Sequence, residues 1–203
     1  MHTQQSALPS PSDMTWEDAT KILSSADITR NSDKILENLP SITPRKDILA
    51  DVDMFFSNVT EMDATVRVVQ FLLAVCKDVY DSTRQKVQIQ CQPTFENHPV
   101  FTDVLICTTD GKPKLIIEEK KSIIHPDLTL QTNEVAQVLR EVHIVTEKTS
   151  TLPFLLTNST IWSFGVVQRV GNKVTILSTL EVNVRYEYDT VYQVLRKYLM
   201  PDD

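Results

Sequence analysis

Phe101-Thr102-Asp103-Val104-Leu105-Ile106-Cys107-Thr108-Thr109-Asp110-Gly111-Lys112-Pro113-Lys114-Leu115-Ile116-Ile117-Glu118-Glu119-Lys120-Lys121 is the stretch whose reading decides the fold. Two β-like apolar runs flank Asp110-Gly111. An Asp-Gly pair in that setting is a hairpin signal, because a two-residue type I′ turn needs positive φ at both central positions. Pairing outward from such a turn sets Thr109 against Lys112, Cys107 against Lys114 and Asp103 against Glu118. Directly opposed residues leave the sheet on one face, so Asp103 and Glu118 share a face, and Lys120, two residues on, joins them. Opposed carboxylates repel, and their juxtaposition needs a reason.

On the N-terminal side of the hairpin, Val87-Gln88-Ile89-Gln90-Cys91-Gln92 alternates strictly and predicts a strand with one face in the core. Before it, Thr60 to Tyr80 is the clearest helix, with Val68, Val69, Leu72, Cys76 and Val79 on one stripe. Shorter amphipathic helices are predicted over Trp16 to Leu23, Asp33 to Leu39 and Thr43 to Phe56, the last opened by Thr43-Pro44 as N-cap and first helical residue. On the C-terminal side, a helix is expected from about Leu128 to Val145 with Val135, Val138, Leu139 and Val142 inward. Strands follow over Leu152 to Thr157 and Ile161 to Val170, then a Gly171-Asn172 turn, a strand over Lys173 to Val184 and a closing helix over Tyr188 to Leu199. The order predicts an α/β sandwich with a mixed sheet flanked by helices. It divides the chain into a disordered tail over 1–14, an N-terminal helical extension over 15–58 and one domain over 59–203.

Composition narrows the chemistry. The chain has only three glycines, well under a typical share of about 7%, and no GxGxxG or Walker pattern. A phosphate-cradling loop is excluded, and each glycine is expected in a turn. Cys76, Cys91 and Cys107 are widely spaced in apolar surroundings, which matches neither a zinc site nor a disulfide framework and predicts buried, reduced thiols. No Ser-His-Asp or Cys-His arrangement can be argued. Residues 1–13 carry no apolar core run, and no segment approaches ~18 uninterrupted apolar residues, so the expectation is an intracellular protein, in cytoplasm or nucleus, without membrane contact. The formal net charge of −7 counts against a protein that holds nucleic acid chiefly by neutralising phosphates, and any such binding must use a local patch or a bound cation.

The segment Thr60 to Val170, with an acid on the second strand (Phe101-Thr102-Asp103-Val104-Leu105-Ile106) and Glu-x-Lys on the third (Pro113-Lys114-Leu115-Ile116-Ile117-Glu118-Glu119-Lys120), resembles the PD-(D/E)XK nuclease superfamily. Thr102 departs from the pattern, which often has proline there. The resemblance implies a restriction-endonuclease-like αβββαβ core and Mg²⁺-dependent (or Mn²⁺-dependent) hydrolysis of phosphodiester bonds, with nucleic acid, DNA above all, as partner. It implies Asp103 and Glu118 as metal ligands and Lys120 as the residue that orients the attacking water and offsets transition-state charge. Two further positions resemble accessory residues of the family. Gln131 lies on the buried stripe near its helix start, whereas Gln137 falls on the outer face. Glu61, at helical intervals from Thr65, Val68 and Leu72, resembles a first-helix acid that joins the metal ligands.

Alternatives stand beside these assignments. Glu119-x-Lys121 has the same spacing as Glu118-x-Lys120; a two- or four-residue loop puts Glu118 and Lys120 on Asp103's face, and a bulged three-residue loop exchanges the two pairs. The Asp-Gly turn favours Glu118 and Lys120. Asn58-x-x-Glu61 and Thr60-x-x-Asp63 both fit a capping box, in which the acid only satisfies backbone donors. The acidic balance and the helical extension also fit a second class of function: a catalytically inactive nuclease-like module that binds protein or nucleic acid, with the N-terminal helices as a docking element for a protein partner.

Overall fold

In a computed structural model of the 203-residue chain, residues 17–18, 21, 26–28, 33–40, 61–93, 102–119, 137–142, 151–170 and 173–201 are described. The elements are β1 (Ala26–Ile28), α1 (Asp33–Leu36), α2 (Glu61–Thr83), β2 (Val87–Cys91), β3 (Val104–Thr108), β4 (Pro113–Glu119), a helical segment over 137–142 (α3), β5 (Thr151–Thr157), β6 (Ile161–Val170), β7 (Lys173–Asn183) and α4 (Tyr188–Leu199). The strands form one sheet in the order β1-β7-β6-β5-β4-β3-β2. Pairing is antiparallel except for β1 with β7 and β4 with β5, so the sheet is mixed and the fold is α/β. Parallel neighbours cannot be joined by a tight turn. The chain between β4 and β5 therefore makes a crossover, and α3 lies in it.

Strand alternation sorts the core into two faces. Val104, Ile106, Leu115, Ile117, Leu155 and Phe164 pack against α2 and α4 on one side. Leu105, Cys107, Ile116, Phe154 and Leu156 pack against Val138, Leu139 and Val142 of α3 on the other. With both faces covered, β3, β4 and β5 read as nearly continuous apolar runs rather than alternating ones. Phe71 of α2 ties the first layer together, with its ring centroid 5.1 Å from Trp162 of β6 and 5.3 Å from Tyr188 of α4. Arg196 adds a polar link, its Nε donating to Asp78 Oδ2 at 2.7 Å and its guanidinium to Ser82 Oγ at 2.9 Å.

Helix α2 runs one turn past the expected Tyr80. It ends where Arg84 takes φ 62° in the left-handed region, donates its N–H to the Tyr80 carbonyl at 2.7 Å and lays its guanidinium 5.7 Å from the Tyr80 ring centroid. A C-terminal residue of this conformation is ordinarily glycine, and here a cation–π contact accompanies a side chain that bears the strain.

The hairpin is reached by a different route from the one expected. Gly111 N–H donates to Thr108 O at 3.0 Å and Thr108 N–H to Lys112 O at 2.9 Å. Of Thr109, Asp110 and Gly111, only Gly111 has positive φ, at 86°. The loop is thus the three residues Thr109, Asp110 and Gly111, not a two-residue type I′ turn, with glycine in the position that needs the left-handed conformation. The Thr108 hydroxyl donates to the Asp110 carboxylate, and that bond holds the Asp110 carboxyl below its ordinary pKa. Cys107 accordingly pairs with Pro113, not Lys114. A second irregularity follows: Ile106 pairs with Leu115, and Lys114 is the extra residue of a bulge. The bulge turns Lys114 into the α4 side, where its Nζ donates to the Met200 carbonyl at 3.0 Å, a favourable place for a cation at a helix C-terminus. Two single-residue shifts cancel, and Val104 pairs with Ile117.

The N-terminal segment holds more than helices. Residues 17, 18 and 21 are helical and Glu17 pairs with Lys21 at 3.0 Å, but Ala26–Ile28 form a strand beside β7 that the helical reading missed. Three residues are too few to show a period. Ile35 of α1 enters the core beside α4, and Lys197 of α4 donates to the Ile35 carbonyl at 3.2 Å. Residues 1–14, the helix expected over 43–56 and the Gly171-Asn172 turn lie outside the described residues.

Two expectations about residue types are corrected. Gly165 sits in the middle of β6, opposite Phe154, and not in a turn. A Cβ there would lie 2.1 Å from the Phe154 ring, so the glycine makes room for an aromatic side chain. Cys91 is exposed, whereas Cys107 is buried and Cys76 half-buried. Burial pushes the Cys76 thiol up to about 12 and raises Cys107 as well.

The Gly165→Ala variant is expected to lose about 1–3 kcal/mol of stability, the usual range for overpacking a tight core; an unchanged urea midpoint would contradict the close approach to Phe154. In native protein at pH 8, one thiol per chain, Cys91, should react promptly with an aromatic disulfide reagent, and all three after denaturation, because only the thiolate attacks. Prompt reaction of all three in the native state would refute the burial.

Candidate functional site

The β3–β4 ladder stops at Val104 and Ile117. One step beyond it, side chains take over the bonds that backbone would otherwise make. Thr102 Oγ1 donates to the Ile117 carbonyl at 2.9 Å, and Asp103 Oδ2 accepts the Glu119 N–H at 2.7 Å. On its other flank the Asp103 carbonyl accepts the Gln92 N–H at 2.8 Å. Thr102 is buried at this seam, and its hydroxyl has a structural task that a residue without one cannot perform.

One step past the Val104–Ile117 pair the register sets Asp103 across from Glu118, and Glu118 lies on the α3 face, the face of Leu105, Cys107 and Ile116, where it meets Gln137. Glu118 is 4% exposed and Asp103 half-buried. Glu119 is equally buried but belongs to the other face, where Thr65 Oγ1 of α2 donates to its Oε2 at 2.5 Å. The two adjacent glutamates are thus divided between opposite sides of the sheet, and Glu118 is the one on the α3 side.

Gln137 corrects the helix reading. It faces the sheet rather than outward, and its Nε2 donates to Glu118 Oε1 at 2.5 Å and to Glu141 Oε1 at 3.1 Å. Apolar periodicity alone placed it on the outer face, because Gln137 and Glu141 border the Val138, Leu139 and Val142 stripe rather than extend it. The signal that finds it is polar complementarity: a carboxylate aimed inward from a strand demands a donor from the facing helix.

Of the other expected residues, Glu61 is the first of α2, one helical turn before Thr65. That start lies on Glu119's side of the sheet, across from Glu118; its side chain lies outside the described residues. Lys120, Lys121 and Gln131 lie outside them as well.

Asp103 and Glu118 offer hard oxygen donors, the chemistry that Mg²⁺ and Mn²⁺ prefer. A buried carboxylate such as Glu118 is costly unless its charge is compensated, and a bound cation is one way to do so. Among the described residues, no group of three or more His, Cys, Asp or Glu side chains is placed to hold a metal ion; the described part of the site supplies two carboxylates. No helix among the described residues is long and apolar enough to cross a membrane.

No protein-family model matches the chain, and no curated protein matches it either.

The seam itself is testable. Thr102→Val keeps the shape and removes the bond to Ile117 O, leaving that carbonyl without its donor. A loss of about 1–3 kcal/mol is expected in denaturant unfolding, together with faster amide exchange at Glu119; unaltered stability and exchange would show that the seam does not depend on Thr102.

Proposed function

We propose that this chain carries a PD-(D/E)XK-type nuclease domain with a restriction-endonuclease-like αβββαβ core, hydrolysing phosphodiester bonds of nucleic acid, with DNA as the expected substrate and Mg²⁺ or Mn²⁺ as cofactor. The observation that carries this reading is the Val104–Ile117 register, which brings Asp103 and Glu118 to adjacent strand positions at the point where the β3–β4 ladder ends. The element order also supports it: α2, three antiparallel strands, a helix, and then a strand parallel to β4.

Asp103 and Glu118 would hold the metal ion. When bound, such an ion polarises the scissile phosphate and makes water nucleophilic at neutral pH. Asp103 is oriented by the Glu119 N–H and Glu118 by the Gln137 amide, so neither carboxylate has to be reorganised when substrate arrives. Lys120, two residues after Glu118, is assigned to the attacking water and to the negative charge that grows on the phosphate. Glu61 and Gln131 stay in the assignment as accessory residues.

A second reading keeps the domain and drops the turnover: a nuclease-like module that binds protein or nucleic acid, the protein through its N-terminal segment. The net charge of −7 favours it, since nucleic acid is held most simply by a basic surface.

Mn²⁺ titration and incubation with mixed DNA and RNA substrates distinguish the two. The nuclease reading predicts Mn²⁺ binding and cleavage by the wild type, with a fall of about 10²-fold or more in rate for Asp103→Asn, Glu118→Gln and Lys120→Met. Metal binding without cleavage of any substrate selects the inactive module. Neither binding nor cleavage defeats the site assignment.

A further inference from the structure

Gln137 commits both N–H bonds of its amide to carboxylates, one on Glu118 and one on Glu141. The nitrogen of the amide, which carries both hydrogens, therefore faces the two carboxylates. Glu141 is fully buried, at 0% exposure. It stands one turn after Gln137 on the same helix, where side chains four apart are neighbours, whereas Glu118 reaches the amide from β4. The two partners therefore differ in kind. One belongs to the helix that carries the amide and the other to the strand that carries the candidate metal ligand.

Burial of Glu141 brings a carboxylate to the Gln137 amide inside the α3 layer. A carboxylate without exposure costs several kcal/mol of desolvation, and an apolar residue would extend the Val138, Leu139 and Val142 stripe at lower cost. What the carboxylate adds is direction. With Oε1 of Glu141 accepting one amide hydrogen, rotation of the Gln137 amide is arrested, and the second hydrogen is aimed at Glu118. The Glu118 carboxylate is then held in a single orientation before any cation arrives.

We infer that Gln137 and Glu141 are positioning residues for the metal ligand Glu118: Glu141 aims the Gln137 amide, and the amide fixes the Glu118 carboxylate for cation binding. The inference rests on the reading of Asp103 and Glu118 as a cation site. Outer partners of this kind typically change metal affinity about 10- to 100-fold when removed.

The test titrates the full chain with Mn²⁺ alone, following free Mn²⁺ by electron paramagnetic resonance, with thermal unfolding recorded for every variant. Gln137→Met keeps size and removes the donor, and Glu141→Leu removes the acceptor that aims it; each should weaken Mn²⁺ binding by about 10-fold or more. Glu141→Gln keeps an oxygen that accepts from Gln137, and should recover most of the affinity lost in Glu141→Leu. A purely structural role would lower the melting temperature of the folded variants and leave Mn²⁺ affinity unmoved. Where Gln137→Met does not fold, Gln137→Asn, which is polar but one methylene too short to span both carboxylates, carries the comparison and should show the same loss. Wild-type binding abolished by Glu118→Gln but unchanged in the Gln137 and Glu141 variants overturns the inference and leaves the cation site standing. Absence of wild-type binding overturns the cation site and the inference with it.

Discussion

The pairing of Val104 with Ile117 is the contact on which the rest of the site depends. It lies between two full apolar layers, and a slip of β4 by one residue would turn Leu115 and Ile117 away from α2 and α4 and drive Glu118 into their place. Burial on both sides therefore enforces the register far more strongly than the turn does. Once it is set, the positions just past the ladder are determined: Glu118 turns to the α3 side, and Glu119 faces α2.

The two irregularities of the hairpin show how this enforcement works. The three-residue loop shifts the pairing by one, and without correction the whole strand pair would be out of phase with its layers. The bulge at Lys114 restores the phase and places a lysine where the carbonyls at the end of α4 accept it. A local turn rule and a global packing requirement disagreed, and packing prevailed at the expense of one bulged residue. The register of Val104 with Ile117 was thus legible in the sequence, but the Asp-Gly rule reached it with two compensating errors.

Other features were legible in proportion to the length and period of their signal. Helix α2, the strands from β2 to β7 and helix α4 each span enough residues to show a period. Strand β1 does not, and its pairing with β7 depends on an edge that only the assembled sheet provides. Gly165 was misread because its cause lies on another strand, in the ring of Phe154. Gln137 was misread for a related reason. Apolar periodicity records which residues avoid water, and it does not register a polar side chain drawn inward by a buried carboxylate.

The central claim is that Asp103 and Glu118 form one side of a cation site and that Glu119 does not. Anomalous scattering from a crystal soaked in Mn²⁺ tests this most directly. The account predicts a peak about 2.1–2.2 Å from oxygens of both Asp103 and Glu118 on the α3 side of the sheet. A peak between Glu119 and α2, or no peak that both carboxylates share, would contradict it.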